Sequence, residues 1–393
     1  MNPFVYIRKN QIDLLDLYFC KNEKAEINQR NQNKQTLLNY SCQNNSNLEI
    51  IKYLIEIGID INLADKIEAT PLHYACQNKN EFVIKFLVEN KANVNAIDLF
   101  KKTPLHYAIQ FGANPESVEF LIESGTKISY LSSDLSNYLH FACKYSSDLQ
   151  VIKFLVESGC KVDLLNKSRK TPLHYALISK MKSEVIHFML DSNADLKILD
   201  SDNRSYVDYA IENNYPIEII KKMISKGAFP VSTSKSQIST LHLVCSQKID
   251  KEIVRLILDY YQDVNIQDNM KRTPLHYACK WNPQLDVIQL LVSKGANLQL
   301  KDFKGLTPFQ TACQFCQDVS IFKYLHNKGS DQNALNNYQQ SCLHLLCQQN
   351  SSYEILEWML TLNLDINAQD LGKNTPLHFL CENNPSLKII QFL

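Results

Sequence analysis

Glycine is scarce in this chain, at 9 of 393 residues, and no GxGxxG, GxxxxGKS or GxxxxGKT segment occurs. Loops that cradle phosphates use glycines so that backbone amides can close on the anion, so the usual nucleotide-binding folds are argued against. No charge excess exists either: Lys and Arg number 41, and Asp and Glu number 41. A protein that neutralises nucleic-acid phosphates normally carries a basic surplus, so nucleic acid is not an expected partner. There is no run of five like charges and no apolar run near the length of a membrane span, so no membrane insertion is expected. The opening MNPFVYIRKNQIDLL lacks the apolar stretch of a signal peptide. These absences set the expectation of a soluble cytoplasmic chain, with the nucleus as the alternative compartment.

What the chain does have is a period. TPLHYAC occurs at Thr70–Cys76 and at Thr273–Cys279, with close relatives starting at Thr103, Thr171, Thr307 and Thr375. Looser copies start at Thr36, Asn137, Ser205, Ser239 and Ser341. The eleven starts are separated by nine steps of 34 residues and one of 33. Stepping back once more gives residues 2–35 as a degenerate first repeat, so one array of twelve units is expected over residues 1–393, the last incomplete at 375–393.

Each unit reads as two short helices and a loop. Thr, Ser or Asn at the motif start is a good N-cap, and Pro in the next position suits the first helical turn. Apolar residues then recur at helical spacing, as in Leu72, Ala75 and Cys76, followed by a second helix with caps such as Asn114-Pro115, Asn282-Pro283 and Asn384-Pro385. That helix is expected to end at Gly58, Gly125, Gly159, Gly227, Gly295 and Gly329, or at Lys24, Lys91, Asn193, Tyr261 and Asn363 in the other repeats. Five residues before each motif stands Asp, Asn or Ser, which marks a loop or hairpin there. No such unit can bury its apolar side alone, so the core must come from stacking.

The TPLHxA motif at this spacing resembles the ankyrin-repeat family over essentially the entire chain. The resemblance implies an all-α, curved solenoid of helix-turn-helix units with a β-hairpin or finger loop between them. It also implies a structural role for the motif histidine (His73, His106, His140, His174, His242, His276, His344 and His378), bonding the motif Thr and the neighbouring repeat. Asn39, Asp208 and Gln310 replace that histidine and keep hydrogen-bonding capacity. A row of imidazoles as a metal or catalytic site is the weaker reading, as is zinc at Cys313-x-x-Cys316, the single CxxC. Eight cysteines share the seventh motif position and read as small core hydrophobes. No cofactor, metal or catalytic residue is expected. Four sequons, at Asn44, Asn166, Asn203 and Asn350, read as accidents of composition.

Partners, by the same resemblance, dock on the concave side against the fingertips. Candidate contact residues are Phe100, Lys101, Arg169, Lys170, Met270, Lys271, Arg272, Phe303 and Tyr338, with Trp281 at a helix end. Aromatics, Met and Arg are enriched at interface centres; basic residues before the motif also recur in the family without specificity, and both readings stand. The expected function is a monomeric, non-catalytic scaffold or adaptor for other proteins. The alternative is the targeting region of a longer signalling, ubiquitin-ligase-adaptor or channel protein, because Leu393 corresponds to mid-helix Leu291. The Ser-rich stretch from Phe229 to Lys235 replaces the usual finger, as a bend or as a contact site.

Overall fold

The computed structural model describes residues 2–21, 26–44, 47–146, 148–281, 283–349 and 353–382. The chain divides into two compact units, residues 1–195 and 196–393. Among the described residues there are 23 helices and no strand. The finger is therefore a loop rather than a hairpin of paired strands, apart from an isolated antiparallel bridge between Thr233 and Ser239.

Eleven helices open one residue after a motif start, from Leu37 to Pro376. Thr70, Asn137 and Ser239 show why: each is an extended N-cap, and the side chain three residues on accepts its backbone N–H, closing a capping box. The second helix opens twelve residues after the motif start, at Leu48, Pro115, Leu149, Ser183, Ile217, Lys251, Leu285, Val319 and Tyr353, and eleven after it at Glu81. That register corrects one boundary. Leu285, not Pro283, begins its helix, because Pro283 falls two positions ahead of the common start. Asn282, Asn384-Pro385, Lys24 and Asn350 lie outside the described residues.

In residues 1–195, Pro3–Arg8 packs on Leu37–Gln43, which packs on Pro71–Gln77, and so on through Pro104–Phe111, Tyr138–Tyr145 and Pro172–Ile178. In residues 196–393 the same side-by-side contact runs from Tyr206–Glu212 to Pro376–Glu382. The shared sides are dry: Leu72, Leu105, Leu139, Leu173, Leu241, Leu275 and Leu343 are all buried. Cys42, Cys76, Cys143, Cys245, Cys279, Cys313 and Cys347 are buried free thiols, whereas Cys381 of the same register is exposed, at the edge of the described residues. Cys316 is not poised for exchange; it is buried at the end of its helix, its sulfur accepting the Asp318 N–H at 3.4 Å.

Each finger is one tight turn. In the turn before Thr70, Glu68 N–H donates to Asp65 O (3.1 Å) and Asp65 N–H to Ala69 O (3.0 Å), while Asp65 Oδ1 accepts from Ile67 and Ala69 N–H. This turn forces its fourth residue into the left-handed region in all eleven copies: Lys34, Glu68, Lys101, Leu135, Arg169, Asn203, Gln237, Lys271, Gly305, Gln339 and Lys373, at φ between 53° and 77°. Only one of these is glycine. Each other side chain there costs roughly 1 kcal/mol, less for Asn. Gly305 has a further reason, since a Cβ there would collide with Asn337 Oδ1 and lie 2.8 Å from its backbone N. Of the residues in the helix-ending glycine position, Lys91, Asn193 and Asn363 are left-handed, but Tyr261 is not. Its helix, Lys251–Leu258, is one residue shorter than most, and the Tyr261 hydroxyl turns back to accept Leu241 N–H at 3.2 Å.

The irregular stretch at 229–235 is neither a bare bend nor a free loop. Asp208 holds the histidine position of its repeat but has no donor when ionised. Ser232 of the loop that follows and Thr240 of the next repeat supply donors instead: the Ser232 hydroxyl donates to Asp208 Oδ2, and Thr240 Oγ1 donates to Asp208 Oδ1 at 2.6 Å. Thr240 stands where six of the repeats have Pro, and its additional N–H is taken up by Ser232 O at 3.2 Å. Burial pushes the Asp208 carboxyl up, against the pull of these hydroxyls.

Three substitutions test these turns and bonds in unfolding monitored by circular dichroism. Leu135→Gly is expected to raise stability by roughly 0.5–1 kcal/mol, the left-handed penalty less the added chain entropy. Gly305→Ala should lower it by more than about 1 kcal/mol. Thr240→Pro, the substitution that the other repeats would suggest, is expected to destabilise by about 1–3 kcal/mol because it strips a donor from a buried carboxylate; an unchanged midpoint would refute the Asp208 arrangement.

Candidate functional site

The fingers are bonded to one another. In residues 1–195, the N–H after each turn-opening residue donates to a carbonyl of the preceding finger: Lys66 to Asn33, Leu99 to Ile67, Ser133 to Phe100 and Lys167 to Asp134, at 2.9–3.0 Å. In residues 196–393 the rungs are Lys235 to Asp202, Asn269 to Ser236, Phe303 to Met270, Asn337 to Lys304 and Leu371 to Tyr338, at 2.8–3.2 Å. A strut ties each of several fingers to its own first helix. The hydroxyls of Tyr74, Tyr107, Tyr209 and Tyr277 donate to the second carboxylate oxygen of Asp65, Asp98, Asp200 and Asp268, at 2.5–2.9 Å, and Asn166 Nδ2 donates to the Tyr175 hydroxyl. These fifth-position tyrosines are packing residues rather than an exposed aromatic row. The pairing was visible in the sequence as Asp nine residues before Tyr, with Ser132 and Ser234 standing where Phe141 and Leu243 offer no hydroxyl.

The candidate contact residues separate into two kinds. Phe100, Met270, Phe303 and Tyr338 are exposed fingertips, at 55, 42, 63 and 55 % of their surface. Lys101, Arg169 and Lys271 occupy the left-handed turn position and are exposed. Lys170 and Arg272, directly before the motif, are half-buried. Arg272 corrects the sequence reading most: Asp268 Oδ2 accepts from its Nε at 2.8 Å and pairs with its Nη2 at 2.6 Å, and its guanidinium lies 5.0 Å from the Tyr277 ring and 5.1 Å from Trp281. It is a brace for the finger, because the acid that opens the turn is within its reach. Trp281 has one face packed, 4.5 Å from Tyr277, and remains 42 % exposed. Lys280, Lys304 and Phe315 were missed. The signal was an aromatic eight residues after the motif start, present at Phe111, Tyr145, Trp281 and Phe315.

A family model for ankyrin repeats (3 copies) matches residues 4–98, 60–134, 139–234, 207–302, 284–370 and 309–393. The chain belongs to the ankyrin-repeat family. Its fold is an all-α ankyrin-repeat solenoid, and repeats of this kind are generally protein–protein interaction modules. No match was found among curated proteins. No helix among the described residues is long and apolar enough to cross a membrane, and none of their His, Cys, Asp and Glu side chains gather in threes to hold a metal ion.

The ankyrin histidine works as a linker between repeats. Nδ1 of His73 accepts from Thr70 N–H at 3.1 Å, so Nε2 carries the proton and donates at 3.0 Å to Lys102 O, 29 residues along the chain. His140, His242, His276 and His344 repeat the bond to Lys170, Arg272, Leu306 and Asn374 carbonyls at 2.9–3.0 Å. Asn39 and Gln310 do the same work with their amides, donating to Leu63 and Ala69 carbonyls and to Ala334 O respectively. Burial first of all disfavours the imidazolium: His140 and His242 are lowered to about 4 and His106 to about 3, from an ordinary 6.5. In His73, His140, His242, His276 and His344 the ring is engaged at both nitrogens, which is a poor state for general acid work.

These depressed values fix a pH dependence. The folded state binds fewer protons than the unfolded chain, so the stability is fully present above about 6.5 and is lost as pH falls towards 4. Urea titrations between pH 7 and pH 4 should show a falling midpoint, and His242→Gln should remove a share of that slope on the order of 2 kcal/mol. A slope identical to the parent would sink the linker account of that ring.

Proposed function

We propose that the chain is a non-catalytic array that holds partner proteins on its fingertips and on the exposed ends of its first helices. One observation carries this reading: large apolar side chains at Phe100, Met270, Phe303 and Tyr338 remain exposed on a backbone fixed by rungs and struts. Loops that carry exposed aromatics on a rigid support lose little entropy on binding, which favours recognition. Lys101, Arg169 and Lys271 add outward charge in the same rows. Lys170 and Arg272 contribute through the shape they give the finger. We propose the cytoplasm as the compartment, with the nucleus as alternative; twelve free cysteines support a reducing setting. A monomer forming one continuous array is part of the proposal.

The test compares two forms of the protein as affinity baits. Phe100→Ser and Met270→Ser combined with Phe303→Ser and Tyr338→Ser should leave the helical melt nearly unchanged. Partner recovery, quantified by mass spectrometry, should fall by about tenfold or more for proteins bound through these hot spots. Equal recovery by both baits refutes the fingertip reading.

A further inference from the structure

One cluster in residues 196–393 is unlike the other fingertips. Trp281 and Phe315 close the last turns of their first helices, each 42 % exposed, and the exposed Met270 and Phe303 fingertips of the same two repeats are joined by a 2.8 Å rung. Between the two rings stands Lys280, its ammonium 4.3 Å from the Trp281 centroid and 4.8 Å from that of Phe315. It has no hydrogen bond or ion pair to any described residue. Burial, then Arg272 and Lys304, push its charged form down, against the pull of Asp302. The neighbouring acids are committed to their fingers, Asp302 through one of its two oxygens. Asp268 holds Arg272 and Tyr277, and Asp302 Oδ1 accepts Lys304 and Leu306 N–H at 2.8 and 2.9 Å. Lys280 is thus a half-buried cation walled by exposed rings, with two like charges and the single acid Asp302 acting on it, and with no ion pair of its own among the described residues.

We propose that Met270, Phe303, Trp281 and Phe315, around Lys280 and Lys304, form a docking surface for an acidic segment of a partner protein. A carboxylate of that segment sits on the two ammonium groups, and an adjacent aromatic or aliphatic side chain lies on the rings. The proposal rests on the reading of this array as a protein-binding surface and specifies one partner chemistry for it. Charge complementarity selects a short acidic segment over a nucleic acid. The chain as a whole carries as many acids as bases, so a long polyanion meets repulsion beyond the cluster while a few carboxylates do not.

The probe is a phage-displayed library of random decapeptides, panned on the full chain and on its Lys280→Gln/Lys304→Gln form. Enriched sequences should place Asp or Glu beside an aromatic or aliphatic residue, and enrichment should vanish on the double variant. Binding of a selected peptide is read by Trp281 fluorescence in a Trp358→Phe background, the chain having two tryptophans. Its affinity should weaken by at least about tenfold in the double variant and fall as salt is raised. Basic or uncharged winners, no enrichment, undiminished binding to the double variant, or tighter binding of a ten-nucleotide oligouridylate would each overturn the proposal. None of these touches the bait comparison, which stands or falls on partner recovery through the other fingertips as well.

Discussion

The structure depends on one side chain, present in seven of the eleven motif repeats, that bonds in two directions. Third in its helix, it accepts the N–H of its own cap and donates to the carbonyl just ahead of the next motif. The first bond starts the helix, and the second fixes where the following helix must start. Because both partners are backbone groups, the link is indifferent to the composition of the loops between them. Apolar burial supplies the stabilisation of the stack, but it is non-directional and does not by itself set a spacing. The bond does. Asp208 shows the constraint from the opposite side: it only accepts, and Ser232 of the following loop and Thr240 of the next repeat supply the donors.

That link gives the chain a backbone that repeats while its surface does not. The rungs between fingers and the tyrosine struts use backbone groups and one acid, so fingertip side chains are released from structural duty. The exceptions are informative. Arg272 sits one residue from an exposed position and is bound by Asp268, while Lys271 beside it faces solvent. Neighbours in sequence thus have different roles because the turn aims them differently.

Sequence reading reached the parts that repeat. Motif spacing located every first helix to the residue, since cap, proline and apolar positions all agree, and the identity of the buried cysteines and leucines came with it. It failed where one repeat answers another. The left-handed turn position carried no sign, because ten of its eleven occupants are not glycine and the conformation is imposed by Asp65 and its equivalents. Pro283 looked like a helix start by local rules, and the register of the neighbours overruled it. The Ser-rich stretch made no sense until Asp208, 24 residues earlier, was seen beside Ser232. Among the contact candidates, exposure of the fingertip aromatics was legible from their place in the turn. The engagement of Arg272 and the place of Lys280 between two rings were not, since both depend on distances that the repeat spacing does not show.

The left-handed turn position has a consequence for diversification. A glycine there would relax the turn but show a partner nothing except backbone. By tolerating Lys, Glu, Leu, Arg, Asn or Gln at a conformational cost near 1 kcal/mol each, the chain gains ten extra letters on its outward face. Its vocabulary for discriminating between molecules is widened at the expense of a margin of stability spread thinly along the stack.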